Sequence, residues 1–372
     1  MSGLSVGYAF LALATLGQTA ASDPGEPAVL ERIVADWQSR QSRLDAVEYR
    51  LEGKATVPAG AMNGEKELYL NPPESLPPDD YEYPKAIRLV VDFAGNRARI
   101  EIDRHEFGGP APEFFPTHRT RVFDGREFWD YTPLDRNPAL QKFQMPVEMQ
   151  PLKPEFAGLF FDRPEQLLMM AHGIPFGPGA YTPPLRLRAK IDPAKYRVMD
   201  SVTDDDGRVC TVLRIAISDS SYREFWVDPE RQSAVVRLLN YSKDILNEDS
   251  RIEYRQTEHG WLPQALSHDR YSRADGELRH SEELRVVELI ANPPLSDDLF
   301  RLQPPAGTVV MQTDDEAVVL QKGDQPARKA LEVLRERQSK PDGKGWGLGA
   351  VFFGVAAAVL AVAAVIWVRR RA

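Results

Sequence analysis

Six histidines and one cysteine are the residues best suited to metal binding or nucleophilic chemistry in this 372-residue chain, and their spacing offers neither. None of the histidines stands in a His-Glu-x-x-His or His-x-His pattern that would bring two imidazoles onto one ion. His105-Glu106 and His268-Asp269 are adjacent pairs, and neighbours on a strand point to opposite faces, so each of these, like His118, reads as a satisfied surface histidine. No Gly-x-Ser-x-Gly elbow and no phosphate-cradling glycine loop is present. Cys210 sits in the apolar pattern Val209-Cys-Thr-Val-Leu-Arg-Ile as a small buried hydrophobe, and a single cysteine excludes an intramolecular disulfide. Asp204-Asp205-Asp206-Gly207 has the acids of a calcium loop without the later Glu, which favours a solvated turn. The expectation is a non-catalytic protein with no cofactor and no metal.

Apolar side chains carry more of the signal. Phe156, Leu159 and Phe160 precede a short helix that contains Leu167 and Met170, and Phe and Met adapt to irregular apolar ligands. Core packing is the competing role for all five. Trp129 shares a strand face with Glu127 and Tyr131, and Trp226 shares one with Glu224, so each either borders a cavity mouth or covers the sheet.

The elements that would position these groups are mostly strands. Residues 27–47 have the spacing of one helix, through Leu30, Ile33, Val34, Trp37, Leu44 and Val47. A strand follows from Tyr49, and the Pro- and Gly-rich stretch 58–86 reads as a loop insertion. From Ile87 the period becomes two, with turns at Gly95-Asn96 and Asp124-Gly125. Pro164 to His172 is a short helix with Asp162 placed to cap it, and strands resume after Tyr196. Thirty prolines and 25 glycines fit a turn-rich, mainly β chain.

Both ends are apolar. Residues 347–368 run without a charge into Arg369-Arg370-Arg371, and 22 residues at about 1.5 Å each span roughly 33 Å, enough for a bilayer core. Residues 346–368 are therefore expected to form a transmembrane helix and 369–372 a cytoplasmic tail. Residues 1–21 read as a signal peptide ending at Ala21, and 313–345 as a stalk. That arrangement puts residues 22–312 in the periplasm or its equivalent. Asp plus Glu, 55, exceeds Lys plus Arg, 46, which argues against a nucleic-acid partner.

Val122-Phe-Asp-Gly-Arg-Glu-Phe-Trp-Asp-Tyr and Tyr222-Arg-Glu-Phe-Trp-Val-Asp-Pro-Glu-Arg, with a weaker echo at Asn292-Pro-Pro-Leu-Ser-Asp-Asp-Leu-Phe, resemble the turns of the LolA/LolB-like lipoprotein-localisation superfamily. The resemblance covers about residues 30–310 and implies an α+β, mainly β fold, in which a curved antiparallel sheet, an incomplete barrel, wraps around a helix. It also implies a cavity for acyl chains, and so lipid or lipoprotein as partner. The chain departs from a soluble carrier in its apolar C-terminal run and lacks the receptor members' lipid-bearing cysteine. A protein-interaction or envelope-stress-sensing module without lipid is the alternative reading.

Overall fold

The computed structural model describes residues 26–64, 74–108, 113–132, 148–152, 161–174, 187–188, 190–302, 309–312 and 317–320. The chain divides into two units, residues 1–302 and 303–372.

In the first unit, helix α1 (Glu26–Gln41) is followed by β1 (Ala46–Val57), β2 (Tyr81–Asp92), β3 (Arg97–Gly108), β4 (Glu113–Phe123), β5 (Phe128–Tyr131) and β6 (Glu148–Leu152). Helix α2 (Arg163–Ala171) comes next. The strands then resume as β7 (Arg197–Thr203), β8 (Val209–Ser218), β9 (Ser221–Asp228), β10 (Ala234–Ser242), β11 (Ile245–Thr257), β12 (Gly260–Tyr271) and β13 (Leu278–Ala291). They form one antiparallel sheet in the order β6-β5-β4-β3-β2-β1-β13-β12-β11-β10-β9-β8-β7. Every neighbour pair is made of strands consecutive in the chain except β1–β13, which joins the two halves through ten rungs from Val47–Ala291 to Thr56–Ser281.

The sheet is curved, because α2 touches strands that would be far apart on a flat one. Asp162, just before α2, is bound by Arg104 of β3 and Arg121 of β4, while the next residue, Arg163, binds Glu248 of β11. Six strand spacings separate β4 from β11, about 29 Å if flat at roughly 4.8 Å per strand. Two consecutive residues reach both strands only if the sheet bends around the helix.

The concave face holds the core. Val47, Tyr49 and Leu51 of β1, Ile87, Leu89 and Val91 of β2, and Ala98, Ile100 and Ile102 of β3 pack with Leu167 to Ala171 of α2 and with Ile33, Val34 and Trp37 of α1. The period-two reading of β2 and β3 thus gives the inward faces, and Asn96, with φ 54°, makes the turn between them. Cys210 is a buried free thiol, pushed by burial up to about 11.

A single guanidinium ties the two helices to the sheet. Arg40, 3% exposed, donates to the carbonyls of Ala171 (2.7 Å), Arg231 (2.6 Å), Gln232 (3.1 Å) and Trp261 (3.2 Å). Ala171 is the last residue of α2, so the cation also meets the negative end of that helix. Beside it, Gly173 has φ 75°, and a Cβ there would lie 2.2 Å from the Trp37 carbonyl oxygen, so only glycine permits this approach of α1 to α2.

Several expectations need correction. The first helix ends at Gln41, and Val47 belongs to β1; its inward burial on a strand falls by coincidence on the helical period. β2 begins at Tyr81, so the last residues of the expected 58–86 loop are strand, paired rung by rung with β1 as far as Val57–Tyr81. In the second unit, β14 (Val309–Gln312) pairs with β15 (Ala317–Leu320), which places a strand in the expected 313–345 stalk. The membrane-helix part of the expected fold class is corrected as well. Among the described residues no helix is long and apolar enough to cross a membrane. α1, with 16 residues, spans about 24 Å and carries charge, and α2 is shorter still. The described residues are mainly β, with two α-helices among them; residues 346–368, 1–21 and 369–372 lie outside the described residues.

Replacing Arg40 with Met should cost about 3 kcal/mol or more, because one buried and three part-buried carbonyls lose a charged donor at once. Urea unfolding followed by tryptophan fluorescence checks this, and a loss below about 1 kcal/mol would remove Arg40 from its central position.

Candidate functional site

The N-terminus of α2 opens into a cavity of about 740 Å³. Pro164 opens the helix, where its missing N–H costs nothing. The Asp162 side chain does not cap the helix as its position suggests; its carboxylate instead takes Arg121 at 3.1 Å and Arg104 at 3.2 Å. Burial opposes ionisation of Asp162, and the two guanidinium groups overcome it, keeping the carboxyl below its ordinary range. Glu165, one turn inside, is fully buried with both carboxylate oxygens unpartnered. Desolvation, then repulsion from Asp162, raises it to about 7.

The floor of the cavity is a plate of polar side chains on three strands. Ser250 of β11 is directly opposite His268 of β12, and His268 is opposite Glu282 of β13; one step along, Arg270 is opposite His280. Lys85 of β2 reaches Glu282 Oε1 at 2.7 Å, and both side chains are buried. Tyr83 Oη lies 3.3 Å from His280 Nε2, and Ser250 Oγ lies 3.0 Å from His268 Nδ1. Burial lowers His268 to about 3 and His280 to about 4, so both are neutral near pH 7. Burial also opposes ionisation of Glu282, but Lys85 holds its carboxyl below the usual range. Ser250, His268 and Glu282 are the residue types of a hydrolytic triad. Ser250, however, is fully buried, so the row presents no nucleophile to the cavity.

The opposite wall is apolar and lies at a fork in the sheet. The β2–β3 ladder runs from Asp92–Arg97 to Ala86–Asp103. Past that rung β2 continues with β1, while β3 continues with β4 as far as Gly108–Glu113. Pro84, two residues beyond the last rung, has no N–H to donate, as expected of a proline where a ladder ends. Aromatic side chains fill the gap. Tyr81 stacks on Phe114 at 3.9 Å and Tyr83 on His105 at 5.2 Å, Phe107 meets Phe114 edge-on at 4.8 Å, and Tyr81 Oη bonds His105 Nδ1 at 2.7 Å. Val57, Ala61 and Met62 complete this wall. A neighbouring cavity of about 720 Å³ shares Lys85, Arg104 and His105 with the first, so these three residues form a thin partition.

Of the residues singled out from sequence, Phe156, Leu159 and Phe160 lie outside the described residues. Leu167 and Met170 are in the central core, at 0% and 2% exposure, and do not line the cavity. Trp129 is buried on β5; Trp226 is half-buried beneath Arg237, whose guanidinium carbon is 4.8 Å from the ring centroid. Neither reaches the cavity. His268 is buried rather than a surface residue, and His105 lies in the cavity wall; His118 pairs with Asp103 at 2.8 Å. The Asp204–Gly207 segment is a turn in which Asp204 accepts the N–H groups of Asp206 and Arg208. Among the described residues no cluster of His, Cys, Asp or Glu is placed to hold a metal.

Tyr81, Tyr83, Lys85, Arg270 and Glu282 were missed, yet a signal was present. Lys85 is in phase with Ile87, Leu89 and Val91, and Glu282 with Leu284, so each is a charge on an otherwise inward apolar face.

No protein-family profile matches the chain, and no curated protein does. The fold is similar to the crystal structure of a putative outer membrane lipoprotein-sorting protein domain from Vibrio parahaemolyticus, at 13% identity and a TM-score of 0.39, over 73% of this chain and 97% of that one. It is also similar to a DUF1329 family protein from Desulfovibrio piger, at 12% identity and a TM-score of 0.39, over 75% and 98%. A porin-like protein from Bacteroides uniformis matches at 5% identity and a TM-score of 0.21, over 68% and 98%. At these levels of likeness, function has to be argued from the cavity itself.

Glu165 gives a pH test of the cavity's electrostatics. Its folded pKa, about 7, lies above the ordinary 4.5, so the folded state holds the proton longer and loses stability as pH rises between these values. The buried histidines act in the opposite sense, losing stability as pH falls below 6.5. Their contribution cancels in a comparison of wild type with Glu165→Gln. The stability of the variant relative to wild type should climb from about pH 4.5 to about pH 7 and then level off. A pH-independent difference in chemical unfolding would contradict the buried, unpartnered carboxyl.

Proposed function

We propose that the domain binds the acyl part of a lipid or of a lipidated protein, without catalysis, on the extracytoplasmic, periplasmic side of an envelope membrane. The observation that carries this reading is the cavity of about 740 Å³, with an apolar aromatic wall facing a charged plate. Its volume falls within the range of about 300–1,000 Å³ common for small-molecule sites. Met62, Val57, Ala61, Phe107 and Phe114 offer soft or flat apolar surface, as an irregular hydrocarbon chain requires. The fork between β2 and β3 supports the same reading, because side chains rather than backbone hydrogen bonds close the sheet there. The extracytoplasmic placement is supported by the apolar leader and its small-residue boundary at Ala21.

The full chain, purified from a membrane-containing host and examined by native mass spectrometry with lipid extraction, should carry acyl species at close to one per chain. Met62→Arg, which puts a charge in the apolar wall, should reduce occupancy about tenfold or more, since desolvating an unpaired charge costs at least 1.4 kcal/mol. A lipid-free mass for the wild type, with no uptake of a fluorescent fatty acid, would overturn the reading.

A further inference from the structure

The charged plate specifies more than an apolar ligand needs. A cavity for hydrocarbon alone gains nothing from buried ions, which are costly to desolvate and are retained only where paired or used. The cavity is lined by five cations, Lys85, Arg104, Arg163, Arg270 and Arg279, against four carboxylates, Glu106, Asp162, Glu248 and Glu282. Four of the cations have partners: Lys85 with Glu282, Arg104 with Glu106 and Asp162, Arg163 with Glu248, and Arg279 with Asp275. Arg270 makes no hydrogen bond or ion pair among the described residues; it is exposed at the cavity wall, directly opposite Glu248 of β11, whose carboxylate is taken by Arg163, so its guanidinium donors are open to a ligand.

Glu282 presents the complementary deficit. Its Oε1 is taken by Lys85, but its Oε2 is buried with no hydrogen-bond partner, on a residue only 7% exposed that lines the same cavity. Leaving a charged acceptor buried and unsatisfied costs about 1–3 kcal/mol or more, so this oxygen is matched to a donor arriving with a ligand. Because Lys85 already balances the charge on Glu282, the fitting donor is a neutral hydroxyl rather than a second cation. Arg270 and Glu282 are diagonal neighbours on one face of β12 and β13, where side-chain origins are about 7–8 Å apart. A single headgroup can span that distance.

We infer that the cavity recognises a monoanionic phosphodiester amphiphile whose headgroup carries a hydroxyl, with the phosphodiester at Arg270, the hydroxyl donating to Glu282 Oε2, and the acyl chain against the wall of Met62, Phe107 and Phe114. The bound phosphodiester pairs the open guanidinium of Arg270, and the hydroxyl satisfies the orphan oxygen. The inference deepens the lipid-binding reading and rests on it for the position of the acyl chain only. The headgroup contacts stand on the plate alone.

The test offers the full-length protein phosphatidylcholine vesicles doped with either phosphatidylglycerol or phosphatidylethanol, which have the same charge but differ in the hydroxyl. Extracted lipid is read by mass spectrometry. In parallel the protein is titrated with water-soluble glycerophosphoglycerol and with dimethyl phosphate. Phosphatidylglycerol should be taken up about tenfold or more over phosphatidylethanol, the ratio expected for one hydrogen bond to a charged acceptor. Arg270→Ala, at an exposed position, should weaken both phosphodiesters alike and leave their ratio intact. Glu282→Gln should shrink the ratio, and its melting curve shows whether it still folds. If both lipids bind equally, the headgroup inference is overturned and the lipid reading survives. If glycerophosphoglycerol binds with the same preference while no acyl lipid does, the plate is upheld and the lipid reading fails. If neither lipid nor soluble headgroup binds, both are overturned.

Discussion

The structure depends on one bracket. Asp162 and Arg163, adjacent in sequence, grip strands on opposite flanks of the sheet through Arg104 and Arg121 on one side and Glu248 on the other. Because an antiparallel sheet of this width would otherwise open into a gently twisted ribbon, the bracket at the helix N-terminus fixes how tightly it curls. Arg40 does the same at the helix C-terminus, drawing four carbonyls from α2, the β9–β10 connection and β12 to one point. The helix is therefore pinned at both ends, and the cavity lies where its first turn stands off the sheet.

The cost of that arrangement is concentrated around the cavity. Asp162 and Glu165 share one turn, and only the first is ionised against guanidinium partners, while the second is pushed towards neutrality. Lys85 and Glu282 pair in a dry setting where replacement of both by apolar residues would often be neutral or stabilising. Polar groups kept at that expense, beside a fork closed by aromatic rings, fit a binding site better than a scaffold element. Pro84, with no N–H to donate, lies just past the last rung at the fork, and the strands on either side of it remain paired with their outer neighbours.

Much of the sheet is legible in the alternation of β2 and β3 and in the turns at Asn96 and Gly125, because one face is buried and the period is strict. The site is less legible for a physical reason. Tyr81, Tyr83 and Lys85 follow a proline- and glycine-rich stretch whose composition resembles a loop, and their pairing with β1 is a long-range contact that local pattern does not encode. Leu167 and Met170 look like ligand-lining residues by type, yet α2 is buried nearly all round because the curled sheet encloses it, so they pack as core. Glu282 and His268 become neighbours only through the β12–β13 register.

Photo-crosslinking with a fatty acid bearing a diazirine near its methyl end tests the central claim most directly, because it reports position rather than affinity. Adducts are expected only on Val57, Ala61, Met62, Tyr83, Phe107 and Phe114, the apolar wall at the fork. Adducts spread over the outer face of the sheet, or found on α1, would contradict it.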